Sequence, residues 1–475
     1  MVYVKAMDFA EIDAACAAFA ARERIPGLVA GVVRDGALVH TTTVGLADIE
    51  GARPVTADTS FRIASMTKNM TALALLVLRD RGRLRLDAPL AEYVPQFTAV
   101  GLPTCDSRAV TVRDLVSHVA GFVTDDPWGD RVLGMTPAEL DGLMAEGRLF
   151  ARPPGLAFEY SNLGYALLGR VLTNVSGEPY QSFIGRTILA PLGMARTTFD
   201  APAAAGANFA WGYRIDDGKW SRERIEPDGE VGAMGGLVTT VPDYARYVAF
   251  LLGAWPARDD PEAGPARRAS VREMGLWHTP PFVPESVGGR APEPSAYGYG
   301  LVSSLHPTLG RRLHHSGGLP GYGSHVLMLP GHGWGVFAFA NRTYAPMGRL
   351  TLEIAEQLQA NWPARPPAPP SPFLAAAVDA VVAAYRAGDI AAAEGLLAVN
   401  FLLDTPAGQR NAELAALKEK LGEGSLEAIV PVHALAGRFT MVCARGRLTG
   451  TVVLSPDARP GIQKLVLVAE GTASS

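Results

Sequence analysis

The stretch that decides the fold is Ser65-Met66-Thr67-Lys68, which opens a predicted helix that runs to about Arg81 and stops at Gly82. Apolar residues recur along this helix at the spacing of one buried face, namely at Met66, Met70, Leu73 and Val77. Residues three apart on a helix share a face, so we expect the Ser65 hydroxyl and the Lys68 amine to be close enough to touch.

This pair of residues has the chemistry of an activated nucleophile. A serine hydroxyl attacks poorly until a neighbouring base takes its proton. A free lysine, with a pKa of about 10.4, is almost entirely charged at pH 7. Burial in an apolar wall would lower that pKa and make the amine a usable base. The structural alternative is that Ser65 is a helix N-cap and Lys68 an exposed residue of the first turn.

Two further motifs carry groups suited to the same chemistry. Tyr160-Ser161-Asn162 precedes a predicted helix, so its phenol can approach a nucleophile and its amide can orient other groups. Asn162 can equally be a helix N-cap. His314-His315-Ser316-Gly317-Gly318 leads into a late hairpin. Its two glycines permit close approach of a ligand to backbone amides, or they form only a β-bulge.

In order and spacing, Ser65-x-x-Lys68, Tyr160-x-Asn162 and His315-x-Gly317 resemble the three motifs of the serine β-lactamase and penicillin-binding-protein superfamily. The resemblance is greatest to the branch that holds class C β-lactamases, D-alanyl-D-alanine carboxypeptidases, D-aminopeptidases and family VIII carboxylesterases. It covers about residues 8–362 and includes four further stretches: Phe61-Arg62-Ile63-Ala64, Val112-Arg113-Asp114-Leu115-Val116-Ser117-His118, Gly235-Gly236-Leu237-Val238-Thr239-Thr240 and Gly321-Tyr322-Gly323-Ser324.

The resemblance implies a role for each motif residue. Ser65 would be the acylated nucleophile, Lys68 its proton acceptor and Tyr160 the second acid/base, with Asn162 positioning the substrate. The backbone amides of Ser65 and Gly318 would form the oxyanion hole. Gly317 lies next to Gly318 on the same predicted strand. No metal or organic cofactor is implied.

Position 315 is where the chain departs from part of that branch. Class C β-lactamases usually carry a lysine there, whereas several D-peptidases carry a histidine, as this chain does. His315 therefore points away from β-lactamase activity and toward a D-peptidase. A G-x-S-x-G elbow is absent from the sequence, which argues against an α/β-hydrolase.

A proline-rich segment divides the chain. Six of the ten residues 363–372 are proline, a composition that favours an extended spacer. We therefore predict a β-lactamase-like hydrolase domain over residues 1–362, a linker over residues 363–372 and an accessory module over residues 373–475. The module has helical periodicity at 373–399 and 409–421, followed by four strand-like runs, and faintly resembles small α+β domains of the NTF2 type.

The predicted fold class of the large domain is α+β. An N-terminal helix, a hairpin turning at Asp35-Gly36, a second hairpin around residues 330–333 and a helix over about 347–361 suit one antiparallel sheet with helices on both faces. Residues 60–250 have a mostly helical pattern, which predicts a helical subdomain beside that sheet.

Composition excludes several classes of protein. Of 475 residues, 48% are hydrophobic and 19% charged, so the chain can build cores and is not disordered. The net charge of -4 means that the chain has no excess of basic residues with which to bind nucleic acid or an anionic membrane surface. Cys16, Cys105 and Cys443 lie too far apart in sequence to suggest a zinc site or a disulfide framework. No apolar export or membrane-spanning segment is present, which predicts the cytoplasm as the location.

The predicted function is a serine hydrolase that forms an acyl-enzyme on a small ester or amide, of the carboxylesterase or D-amino-acid peptidase and amidase type. One alternative is a D,D-carboxypeptidase, penicillin-binding protein or β-lactamase. An alternative of another class is a non-catalytic relative that binds a ligand. The module over residues 373–475 could also join copies of the chain into a homo-oligomer.

Overall fold

The computed structural model describes residues 9–206, 208–282, 293–362 and 369–471. The chain divides into two compact units, Met1–Ala364 and Arg365–Ser475. Of the predicted linker, residues 363–368 lie outside the described residues, and Pro372 is already the first residue of a helix. Within the described part of the chain, no helix is long and apolar enough to cross a bilayer, and no cluster of metal-ligating side chains is found.

The large unit is built on one antiparallel sheet. Its strands run in the order β3-β2-β1-β12-β11-β10-β9-β8, while β4 pairs with β7 and β5 with β6 in two small separate sheets. The strands are β1 Gly27–Arg34, β2 Ala37–Asp48, β3 Arg53–Pro54, β4 Phe61–Arg62, β5 Tyr213–Asp216, β6 Lys219–Arg222, β7 Val238–Thr239, β8 Ser295–Tyr297, β9 Val302–His306, β10 Gly310–Leu319, β11 Tyr322–Leu329 and β12 Trp334–Ala340.

The predicted first hairpin is confirmed, and its turn explains its register. Asp35 and Gly36 have φ angles of 50° and 84°, which is the left-handed pair that a two-residue turn requires. Arg34 consequently pairs with Ala37. The second hairpin joins β11 to β12, and Leu329 pairs with Trp334 across its turn.

Helices cover both faces of this sheet, as the fold-class prediction states. Alternate residues of β1 belong to different cores. Leu28 belongs to the core that includes residues of α1 (Ala10–Arg22) and α10 (Met347–Asn361), whereas Val29 belongs to the core that includes residues of α2 (Thr67–Asp80), α5 (Asn162–Ser176) and α8 (Val241–Leu252). The helices are α1 Ala10–Arg22, α2 Thr67–Asp80, α3 Val112–Val116, α4 Pro137–Glu146, α5 Asn162–Ser176, α6 Tyr180–Ile184, α7 Ala201–Ala204, α8 Val241–Leu252, α9 Arg268–Met274 and α10 Met347–Asn361.

The small unit has its own core and a four-stranded antiparallel meander in the order β13-β14-β15-β16. The predicted helix over 373–399 is too long, because Gly388 adopts the left-handed conformation that ends a helix, and a short 3-10 turn follows. The elements are α11 Pro372–Ala387, α12 Phe401–Asp404, α13 Ala407–Leu421, β13 Gly424–His433, β14 Ala436–Cys443, β15 Gly446–Leu454 and β16 Ile462–Gly471. The likeness to NTF2-type domains stays a prediction.

Candidate active site

Ser65 lies at a tight backbone turn between a strand and a helix. It belongs to a 3-10 turn, Ala64–Met66, rather than to the helix itself, which begins at Thr67. The preceding Ala64 has a φ of 49°, a strained conformation for a residue with a side chain. Strand β4 anchors the turn through its pairing with β7. Neighbouring structure therefore holds Ser65 in place, and its side chain lines a cleft.

Lys68 is the buried partner of Ser65. Its side chain is 0% exposed, and its Nζ lies 3.0 Å from Ser65 Oγ, 2.7 Å from Asn162 Oδ1 and 3.0 Å from the Met234 carbonyl oxygen. The alternative of an exposed first-turn lysine is therefore wrong. A neutral amine has two N–H donors, enough for Asn162 and Met234, which leaves its lone pair for the Ser65 hydroxyl.

The protonation state of Lys68 suits that arrangement. Burial lowers the pKa of its amine to about 8, although the carboxylates of Asp126, Asp130 and Asp125 oppose the shift. About one tenth of the enzyme at pH 7 therefore holds the unprotonated amine, which can act as a base.

Tyr160 lies against the same amine. Lys68 Nζ is 4.8 Å from the centre of its ring. Desolvation and the Asp126 charge raise the pKa of the Tyr160 phenol well above its usual value, while a hydrogen bond with Ser65 works in the opposite direction. The phenol is therefore protonated at rest and available as a proton donor. The ring of His118 packs 4.5 Å from the Tyr160 ring.

Asn162 is the first residue of α5 and faces inward. Ser161 is the N-cap of this helix, since its Oγ accepts a hydrogen bond from the Gly164 amide, so the interpretation of Asn162 as the cap is wrong. The Asn162 side chain is 0% exposed. Its Oδ1 accepts from Lys68 Nζ at 2.7 Å, and its Nδ2 donates to Asp126 Oδ1. Both ends of the amide are thus engaged by protein groups.

His315 is buried and makes no contact suited to an anion. Its Nδ1 lies 2.6 Å from the Ser316 carbonyl oxygen and must carry the proton, so Nε2 accepts from the Tyr297 hydroxyl at 2.8 Å. Burial, and next the charge of Lys68, lower the pKa of His315 to about 3. The imidazole is therefore neutral throughout the physiological range. Because both nitrogens are occupied, it does not supply the cation that a lysine would supply there.

The two glycines that follow allow β10 to pass close to the nucleophile. A Cβ on Gly317 would lie 2.2 Å from Ser324 Oγ and 2.3 Å from the Ile63 carbonyl oxygen, and a Cβ on Gly318 would lie 2.7 Å from the ring of Tyr344. A side chain at either position would displace β10 or its neighbours. Gly318, like Ser65, lines the cleft.

The cleft has a volume of about 650 Å³ and two kinds of wall. One wall, here called the aromatic wall, consists of Phe158, Phe282, Tyr297 and Val302, in which Phe158 and Phe282 stack at 4.5 Å. The lining also contains Asp126 and Asp130, here called the acidic corner, and the Tyr344 hydroxyl donates a hydrogen bond to Asp130. The lining residues are Ser65, Thr124, Asp126, Pro127, Asp130, Phe158, Tyr160, Phe282, Tyr297, Val302, His314, His315, Ser316, Gly318 and Tyr344.

Sequence reasoning missed the acidic corner and its neighbour Asp125. The two oxygens of Asp125 accept from the amides of Asn162 and Leu163 at 2.6 and 2.7 Å, at the start of α5. Gly129 makes room for the Asn162 side chain, since a Cβ at position 129 would lie 2.9 Å from it. The only signal in the sequence is a run of three aspartates with a proline and a glycine over residues 125–130.

Comparison with known proteins adds three findings. A model of the family named Beta-lactamase matches residues 12–360. Esterase EstB of Burkholderia gladioli is 29% identical over 386 residues, which cover 74% of this chain and 95% of that protein. Protein flp of Staphylococcus aureus (strain COL) is 25% identical over 335 residues, which cover 70% of this chain and 63% of that protein.

A solved structure shares the fold. The octameric penicillin-binding protein homologue from Pyrococcus abyssi superposes with a TM-score of 0.65 at 20% sequence identity, over 98% of this chain and 99% of that one. At that identity the likeness concerns the fold alone.

Proposed function

Because this chain belongs to the beta-lactamase family of serine hydrolases, as its motifs indicated, we propose that it hydrolyses a small ester or amide through an acyl-enzyme on Ser65. The observation that carries the proposal is the 3.0 Å separation between Ser65 Oγ and the fully buried Nζ of Lys68. The esterase name of the Burkholderia gladioli relative supports an ester as one substrate type.

The proposed catalytic cycle gives each group the role that the family resemblance implies. The neutral Lys68 amine takes the proton of Ser65 while Oγ attacks the substrate carbonyl carbon. The backbone amides of Ser65 and Gly318 stabilise the resulting oxyanion. Collapse of the tetrahedral intermediate breaks the bond to the leaving group, which receives a proton from Tyr160. A water, deprotonated by the Tyr160 phenolate, then attacks the acyl-enzyme, and Ser65 regains its proton from Lys68.

Asn162 acts in this scheme by positioning Lys68. Its carbonyl oxygen holds the amine at 2.7 Å, and Asp126 fixes the other end of the amide. The Asn162 side chain is 0% exposed, so a direct contact with substrate, as the family resemblance implies, would require this side chain or its surroundings to move.

The composition of the cleft favours substrates without a carboxylate. Among the described residues that line it there is no lysine or arginine, and His315 is neutral. β-Lactams and D-Ala-D-Ala peptides carry a carboxylate that needs a cation, which argues against a D,D-carboxypeptidase or β-lactamase. The pairing of Ser65 with Lys68 argues against a non-catalytic ligand-binding relative.

Covalent labelling tests the proposal. Mass spectrometry after reaction with a fluorophosphonate should find one adduct, on the peptide that contains Ser65. Ser65→Ala should lose labelling and lower turnover by at least about a thousandfold, whereas the exposed Ser182→Ala should retain both. Stoichiometric labelling of another serine, or full turnover by Ser65→Ala, would contradict the mechanism.

Residues 373–475 are proposed to mediate self-association rather than to supply chemistry. The octameric state of the Pyrococcus abyssi homologue supports an oligomer, and sedimentation of the full chain measures its size. The cytoplasmic location stays a prediction.

A further inference from the structure

The charged side chains among the described residues that line the cleft beside Ser65 are acidic. Asp126 and Asp130 both line it, whereas the described lining residues include no lysine or arginine. His314 and His315 also line it, but burial lowers the pKa of both imidazoles, so both are neutral. The Lys68 amine is not among the lining groups, because it lies beneath Ser65 and is engaged by Asn162 and Met234.

The two carboxylates of the acidic corner differ in their hydrogen bonds. Asp126 accepts a hydrogen bond from the Asn162 amide and so belongs to the support of Lys68. Asp130 is 3% exposed, and one of its oxygens accepts from the Tyr344 hydroxyl at 3.0 Å. Within the described part of the chain, no donor reaches its other oxygen. Asp130 is therefore a nearly buried carboxylate with one oxygen left for a ligand.

The surroundings of Asp130 favour the binding of a cation. Burial, and next the charge of Asp126, raise the pKa of its carboxyl to about 7. The charge of Lys68 opposes this rise without cancelling it. A buried carboxylate beside a second carboxylate is therefore still costly, and a cation next to Asp130 relieves both the desolvation and the repulsion by Asp126. The aromatic wall requires that the rest of the ligand be apolar.

We propose that Asp130, next to Asp126, binds a protonated amine of the acyl donor, so that the substrates are esters or amides of small apolar amino acids rather than of plain carboxylic acids. This inference rests on the proposed function, because it assigns the substrate class of the Ser65 site. Asp130 would select the substrate, while Ser65, Lys68 and Tyr160 carry out the reaction.

The expected contribution of Asp130 to substrate binding follows from the type of interaction, a hydrogen bond between two charged groups. A hydrogen bond between charged groups in a partly buried site contributes enough to change binding about tenfold to a hundredfold. Asp130→Asn keeps an oxygen for the Tyr344 hydroxyl but removes the charge. The exposed Asp106, for which no side-chain contact is described, provides the matched control variant Asp106→Asn.

The experiment compares alanine p-nitroanilide, as separate D and L enantiomers, with propionyl p-nitroanilide, which lacks only the amine. At pH 7.0 most of the α-amino group is protonated. Because an ammonium group also activates the carbonyl, the decisive number is the change, between wild type and Asp130→Asn, in the ratio of the two kcat/KM values. We expect that ratio to fall at least tenfold for the preferred enantiomer and to be unchanged in Asp106→Asn. A fall of less than threefold would overturn the inference.

A second measurement uses only the wild-type protein. Alaninamide should protect Ser65 from fluorophosphonate at a concentration at least tenfold lower than propionamide does, and equal protection would overturn the inference. The labelling reaction separates the two proposals. If Ser65 is labelled but no amine preference is found, the amine site is wrong and the hydrolase stands; if Ser65 is not labelled, the proposed function itself fails.

Discussion

Raising the pH from 7 to 9 should increase kcat/KM for an uncharged acyl donor about tenfold. The reason is the amine of Lys68, whose pKa is lowered by burial to about 8. With that pKa, about one tenth of the enzyme holds a neutral amine at pH 7 and about nine tenths at pH 9. Since only the neutral amine can take the Ser65 proton, kcat/KM should follow this fraction and level off above pH 9.

The pH at which kcat/KM stops rising distinguishes a buried lysine from a solvent-exposed one. With a pKa of about 10.4, the neutral fraction at pH 7 would be only about one in 2,500, and the rate would still be rising tenfold per pH unit at pH 9. The carboxylates of Asp126, Asp130 and Asp125 raise the pKa of Lys68. Asp130→Asn removes one of these charges and should therefore move the midpoint to lower pH.

Propionyl p-nitroanilide suits the assay because neither substrate nor chromophore titrates in this range. Rates would be measured from pH 6 to 10.5 for the wild type, for Asp130→Asn and for the control Asp106→Asn, which should keep the wild-type midpoint. A profile that is flat from pH 6 to 9, or that rises without a bend beyond pH 10, would refute the assignment of Lys68 as the base.

Two substitutions in β10 give further predictions. His315→Lys should lower the melting temperature by about 6 °C or more, because it places an uncompensated ammonium in a buried site near Lys68 and breaks the Tyr297 hydrogen bond. Differential scanning calorimetry measures the melting temperature, and substitution of the exposed His433 by lysine is the control. An unchanged melting temperature in His315→Lys would contradict the prediction. Gly317→Ala should abolish turnover or folding, because its Cβ would lie within 2.3 Å of Ser324 Oγ and the Ile63 carbonyl oxygen. Gly331→Ala, where nothing lies within 4 Å of a Cβ, should behave as wild type, and an active Gly317→Ala would show that β10 can shift.

The parts of the fold that sequence predicts are those with local causes. The turn at Asp35-Gly36 needs only two residues that tolerate positive φ, and the helix expected over about 347–361 is observed at Met347–Asn361. The proximity of Ser65 and Lys68 follows from helical spacing, even though a 3-10 turn, and not the helix, carries the serine. The hydrophobic periodicity predicted a helix that continues past Gly388, because it does not register the single glycine at which the helix ends.

Long-range contacts lay beyond sequence reasoning. Nothing local to Asp126 indicates that it holds the amide of Asn162, 36 residues along the chain. The hydrogen bond between Tyr297 and His315 likewise depends on β8, β9 and β10 being neighbours in the sheet. The neutrality of His315 is a consequence of burial, which becomes visible only once the surrounding side chains are in place.

The three anchors of the Lys68 amine come from distant parts of the chain. Ser65 is 3 residues away, Asn162 is 94 and Met234 is 166. Segments this far apart come together late when a chain folds, because closing long loops is entropically costly. A partly folded chain would hold a protonated, solvated lysine and an inert serine. We therefore expect reactivity toward acyl donors to arise only once the segments that carry Asn162 and Met234 have packed around Lys68.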